Sequence, residues 1–224
     1  MLLPLTDNIW HVQHAFVVSG VPITSRMTII RLTSGALWVH SPVPVDSTTK
    51  AQIDALGPVE FIVAPSKAHH LFAKKFAEHY PSANLYGALG LADKRPDLTR
   101  LQTLTPEPGI WAPELSYLLF NGIPFANETV WFHMPTKTLV LTDLCQWWQG
   151  DLPWQSRLWN GLTGVRQRFD VPRSVRMLVR DKAAAKVSAG QILEWPIQRI
   201  VMAHNSVIEQ DAHNELQRAF RHFL

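Results

Sequence analysis

The chain has 224 residues, 46% of them hydrophobic and 17% charged, with 21 Lys and Arg against 18 Asp and Glu for a net charge of +3. That balance excludes global disorder, and a chain of this size buries a core without staples. The single cysteine, Cys145, excludes an intramolecular disulfide framework and any Cys-based structural zinc site. No apolar run reaches the roughly 18–20 residues of a spanning helix. The N-terminus, Met-Leu-Leu-Pro-Leu-Thr-Asp, lacks a basic stretch before an apolar one, so it does not read as a signal peptide. The expectation is one globular domain over 1–224, cytoplasmic, with no membrane partner.

In chain order, Asn8 to Val18 mixes apolar and polar residues, and Met27 to Leu32 and Ala36 to His40 read as strands about the turn Thr33-Ser34-Gly35. Pro42 and Pro44 stop regular structure. A helix over Thr48 to Leu56 ends at Gly57-Pro58, and Phe61 to Ala64 is a compact apolar strand. The stripe Leu71, Phe72, Phe76 and Ala77 predicts a helix over Ala68 to His79, followed by a short strand from Asn84 to Tyr86. After a Pro-rich passage (Pro96, Pro106, Pro108, Pro113), strands return at Leu115 to Phe120, Glu128 to His133 and Thr138 to Thr142. A Trp- and Arg-rich insertion at about 145–180 follows, expected to be irregular and helical. Asp181 caps a helix to Leu193, Arg199 to Ala203 is a buried strand, and Gln210 to Phe223 is an amphipathic helix. This order predicts a layered α/β or α+β fold.

Three short apolar strands end at side chains that bind metals. Phe61 to Ala64 leads to His69-His70, Thr138 to Thr142 leads to Asp143, and Ile200 to Ala203 leads to His204; Leu37 to Val39 ends likewise at His40. Strand carboxyl ends are where layered α/β proteins bind ligands, and imidazoles with a carboxylate suit zinc, iron, manganese or nickel. The alternative is that each is an ordinary core or surface histidine, since the chain has ten.

Taken together, Leu-Trp-Val-His-Ser-Pro-Val-Pro (37–44), the segment 56–72, Asn-Glu-Thr-Val-Trp-Phe-His (127–133), Thr-Leu-Val-Leu-Thr-Asp-Leu (138–144) and Ile-Val-Met-Ala-His (200–204) resemble the metallo-β-lactamase fold family. The resemblance spans nearly the whole chain and is to a branch classed as a domain of unknown function. It implies an α+β fold, a four-layer αββα sandwich with metals along one edge. The family motif His-x-His-x-Asp-His is degraded here: Pro65 and Lys67 stand at its first two histidines, His69 at its aspartate and His70 at its last histidine. The next family histidine falls near Phe125, the bridging aspartate on Asp143 and the final histidine on His204. One metal position is thereby lost. The resemblance implies that the other survives as His69, His70, Asp143 and His204, holding one divalent ion, zinc favoured over iron or manganese. His40 stands where relatives carry an aspartate beneath the site, as a further ligand or a donor to one.

Two further residues receive roles. Lys67 replaces the missing positive charge and faces an anionic substrate, or is a solvated loop lysine. Glu128 orients a ligand histidine, or is a plain strand-end glutamate. Cys145 reads as a small buried apolar residue. Trp147, Trp148, Trp154 and Trp159 wall a pocket, pack the core or form an oligomer contact. His79, His133, His213 and His222 read as ordinary turn or helix-surface residues. The window 156–186 carries +6, which reads as a solvated face or as the seat of an anionic partner. Two functions follow: a single-metal hydrolase acting on a small molecule, or a non-catalytic relative that binds a partner protein or, more weakly supported, nucleic acid. Oligomeric state is left open.

Overall fold

The computed structural model describes residues 1–105 and 109–224; Pro106 and Pro108 of the Pro-rich passage lie outside the described residues. One sheet places β1 (Leu3–Thr6), β2 (Ile9–Val18), β3 (Val21–Arg31), β4 (Leu37–His40), β5 (Val59–Ala64), β6 (Asn84–Gly87) and β7 (Leu101–Thr103) side by side in chain order. It is antiparallel as far as β4 and parallel from β4 to β7. The other sheet uses β8 (Leu115–Leu119), β9 (Thr129–His133), β10 (Thr138–Leu141), β11 (Arg199–Met202) and β12 (Val207–Ile208), in the spatial order β12-β11-β10-β9-β8. In it β10 and β11 run parallel.

Strands this uniformly apolar need cover on both faces, and alternation along them shows what covers each. Leu37, Val39, Ile62 and Ala64 pack against Ile53 of α1 (Ser47–Asp54) and Ala73 and Phe76 of α2 (Ala73–Glu78). Their neighbours Trp38, Phe61 and Val63 point the other way, onto Trp131, Val140 and Val201 of the second sheet. On that sheet's far side, Leu139, Leu141, Ile200 and Met202 meet Ala185, Ala189 and Ile192 of α6 (Lys182–Leu193) and Leu216 and Phe220 of α7 (Ala212–Phe220). The layers are therefore α, β, β and α, each large buried side chain contributing about 1.5–3 kcal/mol.

The two sheets are stitched together at the end where β5, β10 and β11 stop. The Thr129 amide donates to the Pro65 carbonyl at 2.8 Å, and the Arg26 amide to the Ala203 carbonyl at 2.6 Å. This is the edge on which strand-end residues converge.

Several elements depart from the sequence expectation. The helix expected from Ala68 begins only at Ala73, because the Ser66 hydroxyl accepts the amides of Ala68 and His69 (3.2 and 3.0 Å) and holds a turn there. The short elements α3 (Leu91–Lys94), β7 and β12 were not anticipated. Within the 145–180 insertion lie α4 (Trp154–Thr163) and α5 (Arg173–Met177), tied down by an isolated bridge between Gln146 and Asp170. Asp181 caps α6 as expected, its carboxylate accepting the Ala184 amide at 2.9 Å. No helix among the described residues is long and apolar enough to cross a membrane.

Candidate metal centre

Three of the strand-end residues meet. His69 Nε2 and His204 Nε2 are 3.1 Å apart, His204 Nε2 is 3.1 Å from Asp143 Oδ1, and His69 Nε2 is 3.3 Å from Asp143 Oδ2. Two donors about 2.0–2.1 Å from one ion, at angles between 90° and the tetrahedral value, lie about 2.9–3.4 Å apart. The spacing of these three donor atoms therefore fits a single ion. Among the described residues this is the one such group of His, Cys, Asp and Glu side chains.

The surroundings aim the donors. His204 Nδ1 lies 2.6 Å from the Thr24 carbonyl of β3, which only accepts, so that nitrogen carries its proton and Nε2 is left for the site. Trp148 stacks on the His204 ring at 5.5 Å. His69 Nδ1 lies 2.9 Å from the Ser41 hydroxyl. The Gln146 amide donates to Asp143 Oδ1 at 3.0 Å and in turn accepts from the Trp148 indole at 2.9 Å. Burial alone raises the Asp143 carboxyl, but the charge of His69 and the hydrogen bond from His204 outweigh it and hold the group well below its ordinary range. Burial likewise pulls His204 down, yet the hydrogen bond and charge of Asp143 carry it above its ordinary value. Without an ion, a proton on His204 Nε2 bridges the pair; a cation there takes that proton's place.

Both loops that deliver ligands are built on buried charges. Glu128 is 3% exposed, and its carboxylate accepts the amides of Thr142, Asp143 and Leu144 at 2.6, 2.9 and 2.9 Å. It fixes the turn that presents Asp143; it orients the aspartate's peptide rather than a histidine. Arg26, also 3% exposed, donates to the carbonyls of Met202, Ser206 and Asn205 at 2.5, 3.0 and 2.6 Å, wrapping the turn that presents His204. Arg26, Ser41 and Thr24 were not legible in the sequence, since their partners are distant in the chain and the mixed composition of β3 does not single Arg26 out.

The remaining sequence candidates are not drawn into the cluster. His70 turns toward Arg95, whose guanidinium donates to its Nδ1 at 2.9 Å and to its carbonyl at 3.1 Å; burial, then the charges of Lys94 and Arg95, lower the imidazole to about 4. Lys67 donates to the Pro124 carbonyl at 3.2 Å. His40 is buried and stacked on Trp38 at 5.4 Å, with no partner for Nε2; burial, then the charge of His69, lowers it to about 3. Cys145 is buried, which pushes its thiol well up. His133, His213 and His222 bond to Thr136, the Leu193 carbonyl and Asp170 respectively.

The cluster lies in a cavity of about 240 Å³ whose other walls include Phe16, Val18, Ile23, Pro42, Leu71 and Phe72. Phe16 and Phe72 meet edge to face at 5.3 Å. No Lys or Arg lines it among the described residues.

The family model described as Domain of unknown function (DUF4336) matches residues 6–153. Among solved structures, a metallo-β-lactamase from Erythrobacter litoralis aligns at 12% identity and TM-score 0.68 over 98% of this chain and 95% of that one. A metallo-β-lactamase from Pontibacter korlensis aligns at 11% and 0.66, over 99% and 98%. The flavodiiron core from Synechocystis sp. PCC6803 aligns at 11% and 0.67, over 100% of this chain and 60% of that one. At these identities the likeness shows the fold, which is of metallo-β-lactamase type. No curated protein matches the sequence significantly.

Proposed function

The chain belongs to the family described as Domain of unknown function (DUF4336), and from that premise we propose that it is a hydrolase holding one divalent ion, zinc first, on His69, Asp143 and His204. The observation that carries the proposal is the convergence of two imidazole nitrogens and a carboxylate within 3.1–3.3 Å at an apolar cavity. When bound, such an ion supplies Lewis acidity and a water of lowered pKa. Three protein ligands leave room for that water, as catalytic rather than structural zinc sites do. The chain's own residues do the rest. Thr24 and Ser41 hold the two rings, Gln146 steadies the carboxylate, and Phe16 and Phe72 form an apolar wall beside the donors.

The walls support a substrate that is uncharged and apolar beside its scissile group, a lactone, ester or thioester. An anionic substrate would need a cation that this cavity does not offer among its lining residues, and Lys67 is not one of them. A cytoplasmic location belongs to the same proposal, in keeping with a lone, buried free thiol. The competing reading, a non-catalytic relative with a structural site, draws on the replacement of family ligands by Pro65 and Lys67.

Elemental analysis of protein purified without added metal tests the site, with hydrolysis of uncharged lactones, esters and thioesters as the second arm. The expected result is near one equivalent, lost in Asp143→Ala and His204→Ala and kept in His70→Ala. Absence of metal even after reconstitution with zinc, iron or manganese would sink the hydrolase reading. Metal without turnover, together with a large loss of thermal stability on chelation, would favour the structural one.

A further inference from the structure

Helix α4 is packed inside out. The residues it buries are Ser156, Asn160 and Thr163. Those it shows to solvent are Trp154 (69% exposed), Leu158 (57%), Leu162 (60%) and Trp159 (50%). At 3.6 residues per turn, positions 154, 158 and 162 form one stripe about 80° wide, on the side opposite the buried three. Two of the inward side chains are paired, Ser156 donating to the Pro22 carbonyl and Thr163 to the Trp159 carbonyl at 3.0 Å. A surface helix ordinarily turns its apolar stripe to the core. Here the core side is polar, and the apolar stripe is open to solvent.

Beside the stripe lies a dense positive field. Trp154 and Leu158 share a cleft of about 850 Å³ with Trp147, Arg157 and Arg166. Arg166 also lines a second hollow, of about 380 Å³, with Arg168, Arg173 and Arg176. The carboxylate that pairs with arginines of this face is Asp170, which is fully buried and held by Arg168, Arg176 and Arg221. The window 156–186 is thus +6 with its central negative charge hidden. Such a face repels a second copy of itself. Nucleic acid would satisfy the arginines and leave the leucines in water. An occupant has to offer anionic groups and an apolar phase side by side.

We propose that α4 seats the protein on the surface of an anionic phospholipid bilayer. Trp154, Leu158 and Leu162 enter the boundary between headgroups and acyl chains, and the exposed Arg157 takes up a lipid phosphate. Arg166 and Arg173 donate to the carbonyls of Trp148 and Gly150 and of Leu162, and add positive charge through their remaining donors. This contact reverses the expectation of no membrane partner; it lies on the surface and spans nothing, so it is compatible with the lack, among the described residues, of a helix long enough to cross a membrane. It does not depend on the metal centre.

Co-sedimentation with vesicles tests it, using phosphatidylcholine alone and equal parts phosphatidylcholine and phosphatidylglycerol, at low and high salt. The wild type is expected to pellet with the anionic vesicles, to shift its tryptophan emission to the blue, and to stay in solution with the neutral ones. Leu158→Ser with Leu162→Ser should weaken partitioning about tenfold or more, and Arg157→Glu about threefold to tenfold. All three side chains are exposed, so the melting temperature of each variant should match the wild type and exclude misfolding as the cause. No pelleting with anionic vesicles overturns the proposal. So does binding unchanged by the two serines, which would mean charge alone, or a complex with an acidic peptide or single-stranded oligonucleotide formed in preference to vesicles.

Discussion

The loop after β10 and the loop after β11 each deliver one donor to the metal centre, and each is wound around a buried charge, but the two charges have opposite sign. Glu128 draws in three amides from 142–144, while Arg26 reaches three carbonyls between 202 and 206. Neither forms an ion pair among the described residues, so in both cases peptide dipoles replace a counter-ion. Burial pushes both toward neutrality, with unequal consequence. It lowers Arg26 to about 10, leaving it charged at any ordinary pH. Burial, with the charge of Asp143, raises Glu128 to about 7, at the edge of titration. The His204 loop is therefore pinned by a permanent charge and the Asp143 loop by a conditional one.

Removing the permanent charge should cost most. Arg26→Met keeps the volume but strips donors from three carbonyls in a buried turn, with an expected loss of about 3–5 kcal/mol in denaturant unfolding. Metal affinity should fall with it, because the His204 turn loses its wrap. A loss under about 1 kcal/mol would show that the turn holds itself. Glu128→Gln is milder, since one amide oxygen still accepts while the NH₂ is set against a peptide N–H; about 2 kcal/mol is expected. If Glu128→Gln proves the costlier of the two, the ranking of the two loops is reversed.

His40 separates burial from charge, being as buried as the other two but having given up its charge. Its imidazole is lowered to about 3 in the folded chain, against an ordinary value of 6.5 when unfolded. Between those values the unfolded chain takes up a proton that the folded chain refuses. Stability therefore rises with pH across that window and is lost as pH falls from 6.5 toward 3. His40→Phe keeps the stack on Trp38 and removes the orphaned Nε2. It should flatten the acid limb by a few kcal/mol at its foot and add at most about 1 kcal/mol at pH 7. Unfolding free energies at pH 7 and pH 5 decide it; parallel losses in both proteins would assign the acid limb to other buried groups, His11 among them.

The legible part of this molecule was what depends on neighbours in the chain. Uniformly apolar runs such as Thr138–Leu141 announced strands covered on both faces, and their ends announced Asp143 and His204. What the sequence could not convey was direction. His69 and His70 are adjacent, and a helix starting at Ala68 would have carried both; the turn held by Ser66 sends one into the cluster and the other to Arg95. The clamps were hidden for a related reason. Arg26 acts on residues some 176–180 positions away, and no local pattern records that. The inverted face of α4 was readable in part, because Trp154, Leu158 and Leu162 fall on one stripe, but only the packing shows that the stripe faces out.

The smallest expected effect tests the same contrast at the level of single rings. His204 is held by a backbone carbonyl, which no substitution at Thr24 removes, and its tautomer is fixed by an atom that only accepts. His69 is held by the Ser41 hydroxyl, which can rotate to donate or accept. Ser41 sits at φ +53°, a left-handed conformation in which serine and alanine are similarly strained, so Ser41→Ala should change stability by less than about 1 kcal/mol. Its effect belongs on the ion: affinity should fall about tenfold as the ring loses the partner that aims Nε2. Ser41→Gly removes the same hydroxyl and relieves the backbone, so it should lose the same affinity while gaining slightly in stability. Competition with a chelating dye separates the two quantities. Affinity unchanged in both variants would mean that the turn at Ser66, and not the hydroxyl, points His69 at its neighbours.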